Sequence, residues 1–305
     1  MVYNFYLLIR QSIFLGCLLF FSSVSAQNAV THIGLLGTEN GLSQTTNAYI
    51  YQSKSFAWIS SIDGLNRFDG RNNRIYKPGP ASGTLHGGNI QSPFFEASNG
   101  DIWFSTDQAI NVYRAESGKF EHFFIQSDRQ TYVDETYRAI CLEQDRFLWV
   151  HVDTLLFKFD IRRTSQQPLE PVHAIDGAQY AVQYDAQGHV IRLLSCYWGA
   201  APGLYEYFYD STGHLTQKNV WFDRPGNPVT ALIQQIHIQA DGSVWLAADC
   251  GLIEFHQGRY QIHRPKPAGG FNALIALADS MLLLGSIETG LLQFDLHRKQ
   301  FQAPD

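Results

Sequence analysis

The sequence predicts an all-β fold, a β-propeller of four-stranded antiparallel blades, from three observations. A pattern recurs along the 305 residues: FAWISSIDGLNRFDG, Phe56 to Gly70, sets a Trp six residues before a Gly, seven before a Leu and ten before a Phe. From Trp103, Trp149, Trp245 and Leu284 the offsets return, with Ile110, Leu156, Leu252 and Leu291 at the seventh place and Tyr113, Phe159, Phe255 and Phe294 at the tenth. Second, each unit breaks into four short apolar segments divided by turn residues, the signature of a hairpin meander. Third, no segment after the leader carries a helical period.

Residues 1–26 read as a targeting segment. MVYNFYLLIRQ carries one Arg and no acid, SIFLGCLLFF is apolar, and SSVSA puts Val24 and Ala26 at the small-residue positions of a signal-peptidase site. The apolar run is too short for a comfortable membrane span, so cleavage after Ala26 is expected, an uncleaved anchor being the alternative. Gly16-Cys17 is rejected as a lipoprotein site, because Phe14 and Leu15 fit poorly and the apolar run continues past the Cys.

Residues 27–305 are then expected to form one propeller domain. THIGLL, Thr31 to Leu36, reads as an outermost strand with no blade before it. The blades centre near residues 58, 103, 149, 191, 245 and 284, at spacings of 39 to 54 residues. The copy at Trp245 is the plainest: ALIQQIHIQA, SVWLAA, GLIEFH and RYQIHR, joined through Asp241-Gly242, Asp249-Cys250-Gly251 and Gln257-Gly258. In the irregular fourth copy Ile191 takes the Trp position, GLYEY (Gly203 to Tyr207) forms the third strand, and SCYWGAAP lengthens the turn. Gly64, Gly251 and Gly290, with Gly203 in the irregular copy, permit the positive φ of a tight turn. Ala109 and Leu155 break that rule, so the second and third blades should turn differently.

A lone four-stranded sheet cannot bury both faces, so copies at this period stack around an axis. The Trp-position residue and the Leu and aromatic of the third strand should fill the gaps between blades. The sixth blade has its own outer strand, KQFQ, which leaves THIGLL to start a seventh blade whose inner strands would lie beyond Asp305. An open edge would otherwise invite aggregation.

Without its leader the chain carries 21 basic and 28 acidic side chains, a formal charge of -7, since Arg10 is the only charge removed. That dispersed acidity argues against nucleic acid or anionic lipid as a partner. Cys141, Cys196 and Cys250 fall in three different repeats; buried thiols or one incidental bridge outweigh a catalytic or metal role. The 45% apolar content suffices for a core of this length.

Chemistry is sparse. The eleven histidines are scattered singly, without the paired spacing of a zinc site, and there is no nucleophile elbow, P-loop or dinucleotide fingerprint. No catalytic residue, metal or cofactor is expected. One recurrence bears on ligand binding: Asp63, Asp107, Asp153, Asp249 and Glu288 fall four or five residues after the Trp position, in the turn between second and third strands. In propellers that turn opens on the face where the channel is entered, so these carboxylates are candidates for a cation or sugar hydroxyls. Turn chemistry alone also accounts for Asp beside Gly, and is the stronger reading. Tyr197 and Trp198, in the SCYWGAAP turn, suit a sugar-stacking platform, or Trp198 folds back to replace the Trp that Ile191 does not supply.

GLSQTTNAYIYQSKSFAWISSIDGLNRFDGRNNRIYKPGP, Gly41 to Pro80, resembles the first blade of the two-component regulator propellers, periplasmic sensor domains of hybrid histidine kinases found especially in Bacteroidetes. The W-I-S-S-x-D-G-L-N-R-F-D-G core carries the resemblance, and the leader, ENGLS and the later blades follow it more loosely. It implies a non-catalytic, exported sensor that recognises a small ligand, often an oligosaccharide fragment, and signals to the remaining parts of a sensor kinase or to a second copy of the sensor. The kinase, receiver and DNA-binding modules that follow in the family have no counterpart here, so the chain reads as the N-terminal part of such a protein. The alternative is a stand-alone secreted propeller that binds or cleaves a carbohydrate, like a lyase or lactonase; the signature of quinoprotein blades is approached only once, by ESGKF, Glu116 to Phe120.

Overall fold

A computed structural model describes residues 37–44, 49–128, 130–133, 135–162, 168–196, 203–221, 232–256, 258–278, 280–286 and 288–303. The leader, its cleavage site and THIGLL lie outside them, as do Tyr197 and Trp198. The residues from Gly37 on form a β-propeller of six four-stranded antiparallel blades, each a meander with strands in chain order from the centre outwards.

The inner strands are Ile50–Gln52, Phe95–Glu96, Tyr137–Glu143, Gln179–Tyr184, Ile233–Ile238 and Ala273–Ala278. The second strands are Ala57–Ser61, Ile102–Ser105, Phe147–Val152, Val190–Cys196, Val244–Ala248 and Met281–Ser286. The third are Gly64–Phe68, Ile110–Arg114, Leu155–Asp160, Leu204–Tyr209, Gly251–His256 and Gly290–Asp295. The outer are Asn73–Tyr76, Lys119–Phe123, His173–Ala174, Leu215–Trp221, Arg259–His263 and Gln300–Gln302. A small hairpin, Ile125–Gln126 with Thr131–Tyr132, joins blades two and three.

Register explains the repeat. The tenth-place aromatic pairs with the residue before the Trp (Ala57 with Phe68, Ile102 with Tyr113, Leu148 with Phe159, Val244 with Phe255), so ring and Trp point to opposite faces. Each Trp and its seventh-place aliphatic reach the next blade, and each aromatic from blade two onwards reaches the one before. Trp58 and Leu65 meet Tyr113, and Trp103 and Ile110 meet Phe159. Trp149 and Leu156 meet Tyr207, and Trp245 and Leu252 meet Phe294. The four tryptophans are at most 2% exposed, and truncating one would cost about 3–5 kcal/mol.

Two positions differ from the sequence expectation. In blade four Tyr184 pairs with Val190 and Gln183 with Arg192, so Ile191 is a bulge and cannot stand in the Trp row. Tyr207 pairs with Leu193, so Leu194 stands there instead; Arg192, two residues earlier on the same face, holds its guanidinium 2.5 Å from Glu206 and donates through Nη1 to the Gly242 carbonyl of blade five. Trp221, from the outer strand, supplies the missing ring: it donates to Glu206 and packs on Phe255. In blade six Phe294 pairs with Leu282, which makes Leu283 the register equivalent of Trp; the turn between Ser286 and Gly290 holds one residue more than that between Ala248 and Gly251. Leu284 faces back into blade five's core.

Gly64 and Gly251 take φ of +126° and +128° in their turns, where a Cβ would meet the Tyr76 or His263 carbonyl oxygen at 2.3 or 2.6 Å. Gly203, contrary to expectation, has no positive φ. The two divergent blades do turn differently: Asp153 adopts φ 56° in blade three, and the Thr106 hydroxyl accepts the Gln108 and Ala109 amides in blade two.

Among the described residues, five buried clusters serve the five interfaces from blades one and two to blades five and six, and none joins blade six to blade one. The outward faces of the two end blades are apolar. Ile50 is 73% exposed on blade one, and Ile275, Leu277 and Leu291 are 58%, 52% and 53% exposed on blade six. Part of the blade-one face is covered locally: the Ser43 amide donates to buried Asn66, and Leu42 is buried. Cys141, Cys196 and Cys250 are free thiols. Burial pushes the first two up, Cys196 to about 12, so they stay protonated and inert.

Candidate functional site

The five predicted carboxylates do stand in the turns between second and third strands. The Ser61 hydroxyl accepts the Asp63 amide and the Ser286 hydroxyl the Glu288 amide, the ordinary chemistry of a hydroxyl-initiated turn. Asp63 is spent on an exposed ion pair with Lys77 at 2.6 Å. Asp107 is half-buried, its amide bonded to the Asn89 carbonyl, while Asp153, Asp249 and Glu288 are exposed. Among the described residues no three His, Cys, Asp or Glu side chains converge closely enough to hold a metal ion. The turn carboxylates are thus separate stations around one face. Tyr197 and Trp198 complete the predicted set and lie outside the described residues.

Two clefts carry more chemistry than the turns. The first lies at the centre, where inner strands of successive blades converge: Tyr49, Gln91, Pro93, Arg138, Ala139, Ile140, Ala178, Gln179 and Tyr180 line a cavity of about 40 Å³. Arg138 and His151 are register partners on the first two strands of blade three. Nδ1 of His151 hydrogen-bonds the Tyr180 hydroxyl, which in turn donates to the Gly177 carbonyl at 2.7 Å. Burial holds His151 down at about 4 with help from the Arg138 charge, against the pull of the Asp153 carbonyl and the Asp153 and Asp176 carboxylates. Burial also raises the phenols of Tyr49 and Tyr180 against the Arg138 charge. At neutral pH this wall therefore offers two protonated phenols, two carboxamides and one guanidinium, with the neutral, buried imidazole of His151 behind Tyr180.

The second cleft, about 600 Å³, lies between the connection after blade one and the outer strand of blade two, lined by residues 79–84, His86 and Phe120, Glu121 and His122. His86 and His122 stack with ring centres 4.3 Å apart, and Phe124 meets both edge-on. Burial, then the His86 charge, hold His122 below the ordinary histidine range. Glu121 is held by Arg114 at 2.5 Å.

Offset counting along the chain misses the central cleft, because its residues come from four blades and share no place in the repeat. The one local signal is YRAICLE, Tyr137 to Glu143: among the six inner strands it alone carries a Lys or Arg.

No protein-family model matches the chain, and no curated protein matches its sequence. Solved structures do match its fold. The extracellular domain of BT4673 of B. thetaiotaomicron, assigned as a hybrid two-component system, superposes with a TM-score of 0.65 at 17% identity, covering 85% of this chain and 36% of that one. The corresponding domain of BT3049 gives 0.63 at 19%, covering 89% and 37%. A computationally designed protein, Ika8, gives 0.50 at 12%, covering 85% and 86%. The chain spans little more than a third of the length of the two natural domains, 36% and 37%. It therefore shares its propeller fold with extracellular domains assigned to hybrid two-component systems of B. thetaiotaomicron.

Proposed function

We propose that the chain is the exported, non-catalytic sensing propeller of a two-component signalling protein, and that it recognises a small ligand, an oligosaccharide fragment by class. The observation that carries this reading is the shared fold, over 85% and 89% of the chain, with extracellular domains assigned to such systems. The central cleft supports it. The Tyr49 phenol, raised by burial, remains a donor at neutral pH, and an imidazole held near 4 is a weak base there, so the wall suits hydrogen bonding and stacking better than proton transfer. The partner is the remainder of a sensor kinase or a second copy of the sensor. The apolar outward faces of blades one and six are where a further blade would pack.

Fractionation of native cells with an antibody against blade one tests the reading. The expected result is a band in the inner-membrane fraction, far heavier than the 34.5 kDa chain. A soluble cytoplasmic band would overturn export and signalling together. A soluble periplasmic band at the size of the cleaved chain would retain export and replace the kinase partner by a stand-alone binder or enzyme.

A further inference from the structure

Six inner strands carry three carboxylate or guanidinium groups, and two of them are engaged by side chains of this chain. Glu96 accepts a hydrogen bond from the Tyr51 hydroxyl at 2.9 Å, and Glu143 is ion-paired to Lys158 at 2.5 Å. Arg138 is different. It is half-buried, it lines the central cleft beside Tyr49 and Tyr180, and among the described residues it has neither an ion pair nor a side-chain hydrogen bond. Asp153 and Asp176 act on the neighbouring His151, but neither pairs with Arg138.

An arginine left unpaired in a partly desolvated cleft keeps five N–H donors in a planar fork, the geometry that matches a carboxylate two bonds at a time. Its surroundings help. Gln91 and Gln179 provide neutral carboxamides at the cleft wall, and the two phenols add rings able to lie against a sugar. Size narrows the ligand further: about 40 Å³ holds roughly three water molecules, which is room for a carboxylate but not for a pyranose ring. The ring would remain at the mouth with only its acidic end inside.

We propose that Arg138, flanked by Tyr49 and Tyr180, is an anion-binding position that selects ligands bearing a carboxylate, such as an acidic sugar. This deepens the sensing role and rests on it. A single charged contact of this kind supports weak binding, so the probe should be observed from the ligand side.

Ligand-observed NMR on the purified chain, with sodium glucuronate against glucose at matched ionic strength, makes the comparison. Glucuronate should give saturation transfer and glucose much less. Arg138→Gln should weaken glucuronate binding at least 10-fold, and Arg138→Lys, which keeps the charge but loses the fork, by a smaller factor. Because Arg138 holds no internal partner, both variants should melt with the wild type; if Arg138→Gln does not fold, Tyr180→Phe, which keeps the ring, and Arg138→Lys carry the test. Equal signals for glucuronate and glucose on the wild type, or glucuronate binding unchanged in Arg138→Gln, would overturn the proposal. A neutral oligosaccharide that binds equally well with and without Arg138 removes the anion site and leaves the sensing role intact, whereas failure of every sugar to bind removes both.

Discussion

Glu143 offers the sharpest test of how the blades are tied together. It sits at the end of the blade-three inner strand, 1% exposed. One carboxylate oxygen takes the Lys158 ammonium at 2.5 Å and the Trp149 indole N–H at 3.0 Å; the other takes the Val190 amide of blade four at 2.9 Å. Three strands of one blade and one of the next thus converge on a single acceptor. Glu143→Ala leaves an ammonium, an indole and an amide without it. Breaking a buried pair by removing one partner costs ~3–5 kcal/mol. The orphaned N–H groups push towards the upper end, while Lys158, 23% exposed, can turn to solvent and push back. At roughly 2–4 °C per kcal/mol for a domain of this size, the melting temperature should fall by about 10 °C. Glu143→Gln retains acceptors for one or two donors and should lose about half of that. The control is Lys77→Ala, whose pair with Asp63 is more than half exposed and is worth ~0–1 kcal/mol. Calorimetric melts at pH 7 decide it. If Glu143→Ala melts within 2 °C of the control, the carboxylate is not the tie described here.

Three further outcomes follow from the same structure. His151 is held at about 4 against an ordinary 6.5. The folded state therefore binds this proton less readily than the unfolded one, and its contribution is whole above 6.5 and lost as pH falls towards 4. His122 and His173, also lowered by burial, act in the same direction. Melts taken from pH 7 to 5 should fall steadily, with a shallower slope in His151→Gln; an unchanged slope in the variant would exclude His151 as a source. Gly64→Ala combines φ +126° with a Cβ 2.3 Å from a carbonyl oxygen, whereas Gly290→Ala, at φ +72°, meets nothing within 4 Å. The second should cost ~1–2 kcal/mol and the first clearly more by denaturant titration, and equal losses would contradict the turn geometry. Leu291→Lys, on the exposed face of blade six, should leave the melting temperature of this chain within about 2 °C and raise its solubility. A drop of several degrees would mean that face is already covered.

Much of the architecture was legible in the sequence because a repeat protein writes its packing at fixed intervals. Trp58, Trp103, Trp149 and Trp245 could be placed on second strands, and Leu65 or Phe255 on third strands, by counting alone. Counting cannot see register. An extra turn residue in blade six moved the equivalence from Leu284 to Leu283, and in blade four the pairing of Tyr207 with Leu193 moved it from Ile191 to Leu194. The replacement ring, Trp221, came from an outer strand where the repeat specifies nothing. The turn carboxylates were visible as a period, but a period says nothing about distance, and around a ring equal offsets keep residues apart. Tyr49, Arg138 and Tyr180 show the converse, since closure of successive blades brings together residues whose spacing has no regularity.

The measurement that bears most directly on the sensing role is a thermal melt of the purified chain across a panel of neutral and acidic oligosaccharides, followed by chromatography of each sugar after incubation. A non-catalytic sensor predicts that one class raises the melting temperature in proportion to the logarithm of its concentration above Kd and is recovered intact. Recovery of shortened or unsaturated products would contradict the account and make the propeller an enzyme.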